Sequence, residues 1–271
     1  MKQIAVWVLA GCLSTAAIAA EADTAPTLTA PQIIEKNAAA RGGLEAWRKI
    51  QTMVWIGHIE SMNSSAPNLP YLLELKRPNK TRFEIKAQNQ TSVRIYDGAN
   101  GWKLRPGRNG QPELRPYTSN ELTFARDAQG IDGPLMDYQA RGVSITLDGI
   151  DEIEEHKAYR LNITLPSGAS QHVWIDAQSF LEIKSDREAR NAIGMSGTVS
   201  VLYRNYQTVD GLQIPLMIES GSETIKVMDK MVIEKIILNP PLDDQVFAKP
   251  NLPERRKTFK TGAPAQQTVS Q

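Results

Sequence analysis

The sequence predicts a mainly β (α+β) protein built on a single antiparallel sheet of eleven or twelve strands. From about residue 52 to residue 238, short runs alternate apolar and polar residues, and run 159–165 places four apolar side chains on one face. Turn dipeptides separate several of these runs: Asp97-Gly98, Ser167-Gly168 and Asp210-Gly211. Strands in serial order form a meander, and one this long must curl strongly or close partly into a barrel.

The N-terminus has the features of an export signal. Lys2 supplies a positive charge, residues 4–13 are apolar, and small residues follow. Ala17-Ile18-Ala19 is the expected cleavage motif, and Ala20-Glu21-Ala22 is the alternative. The predicted organisation is a signal peptide at 1–19, a flexible leader at 20–30, one β domain at 31–250 and a disordered tail at 251–271.

Cys12 is the only cysteine, and it leaves a second hypothesis open. The stretch Leu9-Ala10-Gly11-Cys12 matches the lipobox at which bacterial lipoproteins are cleaved and acylated. The apolar stretch before Cys12 is short and residues 13–20 stay apolar, so we favour cleavage near Ala19. A chain cleaved there has no cysteine, and therefore no disulfide, thiol nucleophile or cysteine-based zinc site.

A helix should begin near Pro31. Thr29 and Gln32 have the spacing of a capping box, and Pro31 suits the first turn. Gly42-Gly43 should break or kink this helix. Its apolar residues can share one broad face that lies on the sheet: Ile33, Ile34, Ala38, Leu44, Trp47 and Ile50.

The strands fall into two groups separated by an insert. We place the first group near 52–60, 70–77, 80–87, 92–97 and 100–105, and the second near 143–154, 156–165, 169–176, 180–187, 197–208, 213–220 and 224–238. Between them, 106–116 is predicted to be a loop rich in Gly, Pro and Arg. Residues 118–139 are predicted to form a two-helix insert over the sheet, with one helix through 118–128 and a short helical piece from Gly133-Pro134 through Tyr138.

Composition and motifs argue against several functions. The charge is balanced, with 31 basic and 30 acidic residues, so nucleic acid is not an expected partner. His58, His156 and His172 show no metal-ligand spacing, and we interpret them as satisfied surface or core residues. No Gly-x-Ser-x-Gly elbow or phosphate-binding glycine loop is present. We therefore expect no enzyme, cofactor or metal site.

Some charged groups have two interpretations. Glu154-Glu155 and Asp243-Asp244 could in principle serve a glycosidase, but both lie in turns or at strand ends. Arg105, Arg108 and Arg115 form either a solvated loop or a rim that attracts an anionic headgroup.

A sheet with one apolar face must cover it with helices, close on itself or offer it to a guest molecule. Aromatic and methionine side chains suit a cavity for an apolar guest, although each of them is also an ordinary core residue. The candidate cavity residues are Trp55, Phe83, Trp102, Phe124, Leu135, Met136, Trp174, Met217 and Met231.

The chain also resembles the LolA/LolB-like family of periplasmic outer-membrane lipoprotein-sorting proteins. The resemblance runs, in order, through Arg41-Gly42-Gly43-Leu44 with Trp47, Tyr96-Asp97-Gly98 with Gly101-Trp102, Asp132-Gly133-Pro134-Leu135 with Asp137-Tyr138, then Tyr203, Asp210-Gly211, Ile214-Pro215, Ile236, Asn239, Asp243, Phe247 and Pro250. It implies an unclosed β-barrel around helices that act as a lid, with a hydrophobic cavity for acyl chains. No functional residue is carried over, because no motif here matches one.

Three functional hypotheses follow. The first is a monomeric periplasmic carrier that binds acyl chains of lipoproteins or lipids for transfer toward the outer membrane, with an inner-membrane transporter or outer-membrane acceptor as partner. The second is a non-catalytic periplasmic sensor or transporter-accessory module on the same scaffold. The third is an enzyme whose residues do not form a recognisable motif.

Overall fold

The computed structural model describes residues 28–61, 68–88, 90–107, 111–128, 130–190, 196–222 and 229–252. Within these residues, thirteen strands form one antiparallel sheet, joined by three α-helices and one 3₁₀-helix. The helices are α1 (Ala30–Ala40), α2 (Leu44–Arg48), α3 (Ser119–Ala128) and the 3₁₀-helix Asp244–Phe247. The strands are β1 (Thr52–Glu60), β2 (Asn68–Lys76), β3 (Lys80–Ala87), β4 (Gln90–Tyr96), β5 (Gly101–Pro106), β6 (Pro112–Pro116), β7 (Ser144–Ile153), β8 (His156–Thr164), β9 (Ser170–Asp176), β10 (Glu182–Arg190), β11 (Ser196–Val209), β12 (Leu212–Ser222) and β13 (Asp229–Leu238).

The first and last strands of the chain meet in the middle of the sheet. Strands β1 to β6 form one meander and β7 to β13 form another, and β1 pairs with β13 so that Met53 lies opposite Leu238. Strands β6 and β7 are the two edges, and within the described ranges they do not pair with each other. The predicted single antiparallel sheet, unclosed as a barrel, is confirmed.

The N-terminal helix begins and ends as the sequence predicts. The capping box is present, and the Thr29 backbone N–H donates to Gln32 Oε1 at 2.9 Å. The chain leaves α1 at Gly42, whose φ is 105°, and a Cβ there would lie 2.3 Å from the carbonyl oxygen of Gly211. Only glycine permits this approach, which seats the end of α1 on the turn between β11 and β12.

The helices α1 and α2 and residues 130–142 pack on one face of the sheet, which we call the inner face. Under α1, Ile33 and Ile34 pack with Leu161 and Ile175. Under α2, Trp47 packs with a second cluster: Ile50, Met53, Leu75, Ile131, Met136, Leu212 and Ile214. Burying side chains of this size contributes about 1.5–3 kcal/mol each to folding.

The opposite, outer face carries the C-terminal segment. Phe247 in the 3₁₀-helix is fully buried against Val93 and Ile95 of β4, with Trp102 of β5 beside them. Asp243 accepts a hydrogen bond from the Gln245 backbone N–H at 2.8 Å and so caps this helix.

The sheet has one strand more than the sequence predicts, because part of the expected loop 106–116 is strand β6. Lys103 of β5 lies opposite Arg115, and Leu104 lies opposite Leu114. The alternation signal was absent because Leu114 is the only large apolar residue in β6. Prolines at both ends of β6 are tolerated because an edge strand has no partner on one side.

The insert contains one helix rather than two. The first predicted helix is α3, but 130–142 is a series of turns. Gly133 and Asp137 have φ values of 62° and 47°, which no right-handed helix accommodates. The Arg141 guanidinium instead donates to the carbonyl oxygens of Gly133 and Met136 and organises the turns.

Several predicted segments lie outside the described residues. These are the signal peptide with Cys12, the leader up to residue 27, residues 224–228 of the last predicted strand, and the tail from residue 253 onward.

The turns of the insert are fixed to the body by a nearly buried ion pair. The Arg77 guanidinium donates to both carboxylate oxygens of Asp132, at 2.6 Å for the longer contact, and also to the carbonyl oxygens of Trp47 and Ile50. The two charged side chains are only 21% and 13% exposed. Replacing Arg77 with Met leaves Asp132 uncompensated, so we expect the free energy of unfolding to fall by about 3–5 kcal/mol, measured by urea denaturation.

Arg115→Met is the matched control, because Arg115 pairs with Glu113 at an exposed site. Its effect should stay below about 1 kcal/mol. Equal losses in the two variants would contradict a special role for the Arg77–Asp132 pair.

Candidate functional site

Beyond the helices α1 and α2, the inner face has a set of apolar side chains that are neither buried nor fully exposed. The strand register places them side by side across six neighbouring strands from β11 to β3, with Trp55 opposite Leu73 and Ile218 opposite both Tyr203 and Met231. We call this surface the hollow and define it by Trp55, Ile59, Leu69, Phe83, Ile85, Val201, Ile218 and Met231. A contiguous apolar surface of this kind that stays partly open is typical of a binding site.

Helix α3 lies across the inner face and contacts both halves of the sheet. Glu121 accepts hydrogen bonds from Lys103 of β5 at 2.7 and 2.8 Å and from Arg94 of β4 at 3.2 Å. About one turn along the helix, the Phe124 ring stacks against the guanidinium of Arg187 on β10. The distance from Arg187 Cζ to the ring centroid is 4.3 Å.

These two contacts show how strongly the sheet curls. Strands β4 and β10 are seven positions apart in the sheet, a span of about 34 Å if the sheet were flat. Glu121 and Phe124 are separated by only about 4.5 Å along the helix axis. The sheet must therefore bend until its two halves face each other, and α3 spans the space between them.

Helix α3 is held by polar side chains and not by a core of its own. None of its ten residues, all of them described, is buried, and Phe124 is 47% exposed. Asn79 donates to the carbonyl oxygens of Ala125 and Arg126 at 3.1 and 3.0 Å. Detaching this helix therefore breaks few apolar contacts, and a segment of that kind opens at low free-energy cost.

A second depression lies between α1 and the turns at 131–142. Its volume is about 550 Å³, and Ile34, Ala38, Leu44, Leu135 and Met136 form most of its apolar wall. The rim carries a partly exposed ion pair, in which the Arg48 guanidinium donates to both carboxylate oxygens of Asp137. We call this depression the groove.

The structure divides the nine predicted cavity residues into three groups. Three belong to the hollow and a fourth is on the helix above it: Trp55, Phe83, Met231 and Phe124. Leu135 and Met136 are buried and line the groove.

The remaining three residues lie on the outer face. Trp102 packs beside Phe247, and the Trp174 indole N–H donates to Asp151 at 2.7 Å. Met217 lies opposite Arg204. Alternation could not assign Trp174 or Met217 to a face, because both of their chain neighbours are also apolar.

Sequence reasoning missed two residues of this region, Tyr71 and Arg187. Tyr71 lies opposite Gly57 and Ile85, and its ring contacts Phe83 with 5.7 Å between centroids. Arg187 lies opposite Val199 of β11. Burial lowers the pKa of Arg187 from its ordinary value, which marks it as a partly desolvated cation. The alternation of polar and apolar residues identified β2 but gave no reason to select Tyr71.

Most of the other groups considered for chemistry lie beside a structural partner. His156 and His172 each lie beside one carboxylate, at 3.2 and 3.0 Å, and His58 lies beside two, Glu234 at 2.7 Å and Glu60 at 3.6 Å. Glu154 pairs with Arg204, and Asp244 pairs with Lys76 and Lys80. Arg115 pairs with Glu113, and Arg108 lies outside the described residues. In the part of the chain that the structure describes, no three potential metal ligands cluster.

No protein-family model matches the sequence, and neither does any curated protein. Solved structures do match. A LolA superfamily protein from Nitrosomonas europaea aligns over 82% of this chain and 99% of its own, with a TM-score of 0.52 and 15% identity. A DUF1329 family protein from Desulfovibrio piger covers 80% and 97%, with a TM-score of 0.53 and 12% identity.

A Vibrio parahaemolyticus domain described as an outer-membrane lipoprotein-sorting protein is similar to the same extent. It covers 80% of this chain and 95% of its own, with a TM-score of 0.52 and 12% identity. At these identities the likeness shows the fold. The resemblance to LolA/LolB-like proteins that the sequence predicts is therefore confirmed for the fold.

The attachment of α3 should weaken in acid. Burial opposes ionisation of Glu121, but hydrogen bonds from Lys103 and Thr118 outweigh it and lower the pKa of Glu121 to about 2. A depressed pKa stabilises the folded protein above the ordinary pKa of 4.5, and this stabilisation is lost as the pH falls toward 2. We expect Glu121→Gln to lower the free energy of unfolding at pH 7, with the difference from the parent protein shrinking between about pH 4.5 and 2.

Urea denaturation at several pH values measures this difference. Glu113→Gln is the control, because Glu113 is exposed and pairs with Arg115 on the edge strand. A difference between Glu121→Gln and the parent that stays constant from pH 7 to 2 would contradict the proposed attachment.

Proposed function

We propose that this protein is a carrier that binds acyl chains of lipoproteins or lipids in the hollow and transfers them toward the outer membrane. The observation that carries the proposal is the combination of a half-open apolar inner surface with a covering helix that has no buried residue. Fold-level likeness to a LolA superfamily protein and to a lipoprotein-sorting domain supports it.

The energetics suit this function. Each methylene that leaves water contributes about 0.8 kcal/mol, so an acyl chain needs a long apolar surface to travel between membranes. The side chains of the hollow supply such a surface. Met231 can change its shape to fit a flexible chain. Ile59, Ile85 and Ile218 present apolar surface without polar groups that would demand one orientation.

The two parts of the insert have different roles in this proposal. Residues 131–142 are a fixed wall, because Leu135 and Met136 are buried and Arg77 pairs with Asp132 at a nearly buried site. Helix α3 is the movable cover, since a few polar contacts hold it. Opening of α3 would let a chain enter the hollow while the wall stays in place.

The polar contacts that hold α3 to the turn before β3, to β4 and to β5 are the observation that favours the rival hypothesis, a non-catalytic sensor or transporter-accessory module. A scaffold whose cover never opens would bind partners on its surface and carry no cargo. Mass spectrometry of organic extracts from protein purified without detergent separates the two hypotheses. Acyl-bearing cargo supports the carrier, and its absence under those conditions supports the module.

We assign the carrier to the periplasm on the basis of the export signal in residues 1–19. In the described part of the chain, no helix has the length and apolar character needed to span a membrane. An inner-membrane transporter as donor and an outer-membrane acceptor are the partners that such a route requires.

A charge placed in the hollow should abolish binding. We expect Met231→Lys to weaken binding of a dansyl-labelled fatty acid more than tenfold, because the ammonium group would have to be desolvated against the acyl chain. Fluorescence titration measures the affinity, and circular dichroism checks that the variant is folded.

Met217→Lys is the matched control, because Met217 lies on the adjacent strand but on the outer face. It should change the affinity less than twofold. Equal losses in the two variants would place binding outside the hollow.

Fixing α3 to the sheet should block uptake. Cysteines at Phe124 and Arg187, with Cys12 replaced by Ser, can be joined by a short bismaleimide, since the two native side chains are in contact. We expect the cross-linked protein to take up the fluorescent fatty acid at least tenfold more slowly than the same variant before cross-linking.

Each single-cysteine variant treated with the same reagent controls for modification alone. Uptake that is equally fast in cross-linked and uncross-linked protein would show that α3 is not the entrance.

A further inference from the structure

Two hydrogen-bond donors on the inner face have no partner. Among the described residues, four buried side-chain polar atoms lack one, and two of these, Trp55 Nε1 and Tyr71 Oη, are on neighbouring strands. Tyr71 is only 4% exposed. Buried polar groups are almost always hydrogen-bonded, so an adjacent pair of orphan groups needs an explanation.

The register places the two side chains together. Trp55 lies opposite Leu73, and Tyr71 lies opposite Gly57, so they are diagonal neighbours on one face. Aromatic side chains reach one another across such a diagonal. Gly57 lies between Tyr71 on β2 and Ile233 on β13 and has no side chain that would stand beside the two aromatic groups.

Both groups are suited to donate. The indole N–H can only donate. Burial, reinforced by the charge of Glu234, raises the pKa of Tyr71 well above its ordinary range, so its hydroxyl stays protonated. A carbonyl oxygen has two lone pairs and can accept from both groups at once.

We propose that Trp55 Nε1 and Tyr71 Oη bind the carbonyl oxygen of an ester or amide that links an acyl chain to its carrier molecule. The site selects acylated molecules whose linkage enters the hollow over plain hydrocarbon chains. This inference rests on the proposed carrier function and adds to it the chemical class of the cargo. Both donor atoms are shielded from solvent, so binding of the carbonyl requires the side chains around them to move.

A matched pair of ligands tests the proposal. Monooleoylglycerol and its ether analogue differ only in the carbonyl, and displacement of the dansyl fatty acid gives the affinity for each. We expect the parent protein to bind the ester roughly tenfold more tightly than the ether. Trp55→Phe and Tyr71→Phe should each lower this ratio to roughly threefold, mainly by weakening ester binding, because one of the two donors remains.

Trp174→Phe and Tyr96→Phe are the controls. Trp174 donates to Asp151 on the outer face, and the Tyr96 hydroxyl donates to the Gly98 carbonyl oxygen in a turn. Both variants should keep the parental ratio. Equal affinity of the parent protein for ester and ether would overturn the proposal while leaving the carrier function intact. Binding of neither ligand would overturn both.

The empty protein gives a second readout. Tyr71→Phe removes a buried hydroxyl that has no partner, so its melting temperature should rise. A lower melting temperature would mean that the hydroxyl is paired in the empty protein, and this would overturn the proposal.

Discussion

The structure depends on a mismatch between the width of the sheet and the total length of helix that covers it. Thirteen strands would make a sheet about 58 Å wide if it were flat. The three helices together provide about 39 Å of helix length, one helix thick. The sheet reduces the mismatch by curling, which turns its inner face toward itself. Curling still leaves the hollow without a complete cover, and the function proposed for the protein follows from that surplus of apolar surface.

Apolar burial distinguishes the two segments that cover the inner face. The turns at 131–142 combine buried apolar anchors, Leu135 and Met136, with the paired arginines 48 and 77. Helix α3 has only polar attachments and one exposed aromatic ring. Ion pairs of similar exposure, Arg77–Asp132 and Lys103–Glu121, hold both segments. The buried apolar anchors, which only the turns possess, therefore account for the stronger attachment of the turns.

The sequence predicted the local structure better than the long-range structure. Alternation along β8 and the capping box of α1 depend on neighbouring residues, and both identified their elements. Strand β6 was missed because its pairing with β5, and not its composition, makes it a strand. The turns at 131–142 were read as helical because Arg141 stabilises them through contacts that no periodicity encodes. The site was predicted in part: Trp55, Phe83 and Met231 are on the inner face, but Trp174 and Met217 sit in uniformly apolar runs where alternation gives no face.

The pairing of β1 with β13 has a consequence for how the chain reaches its fold. The two meanders join only when β1, near the start of the chain, pairs with β13, near its end. In this pairing Met53 lies opposite Leu238. Contacts so distant in sequence make folding slow, since a long loop must be ordered before they form. A polypeptide that acquires its structure late stays unfolded for longer after synthesis, and the export proposed from residues 1–19 would require an unfolded chain. It also leaves β1 unpaired on one side in the interim, so holding chaperones should matter for its yield.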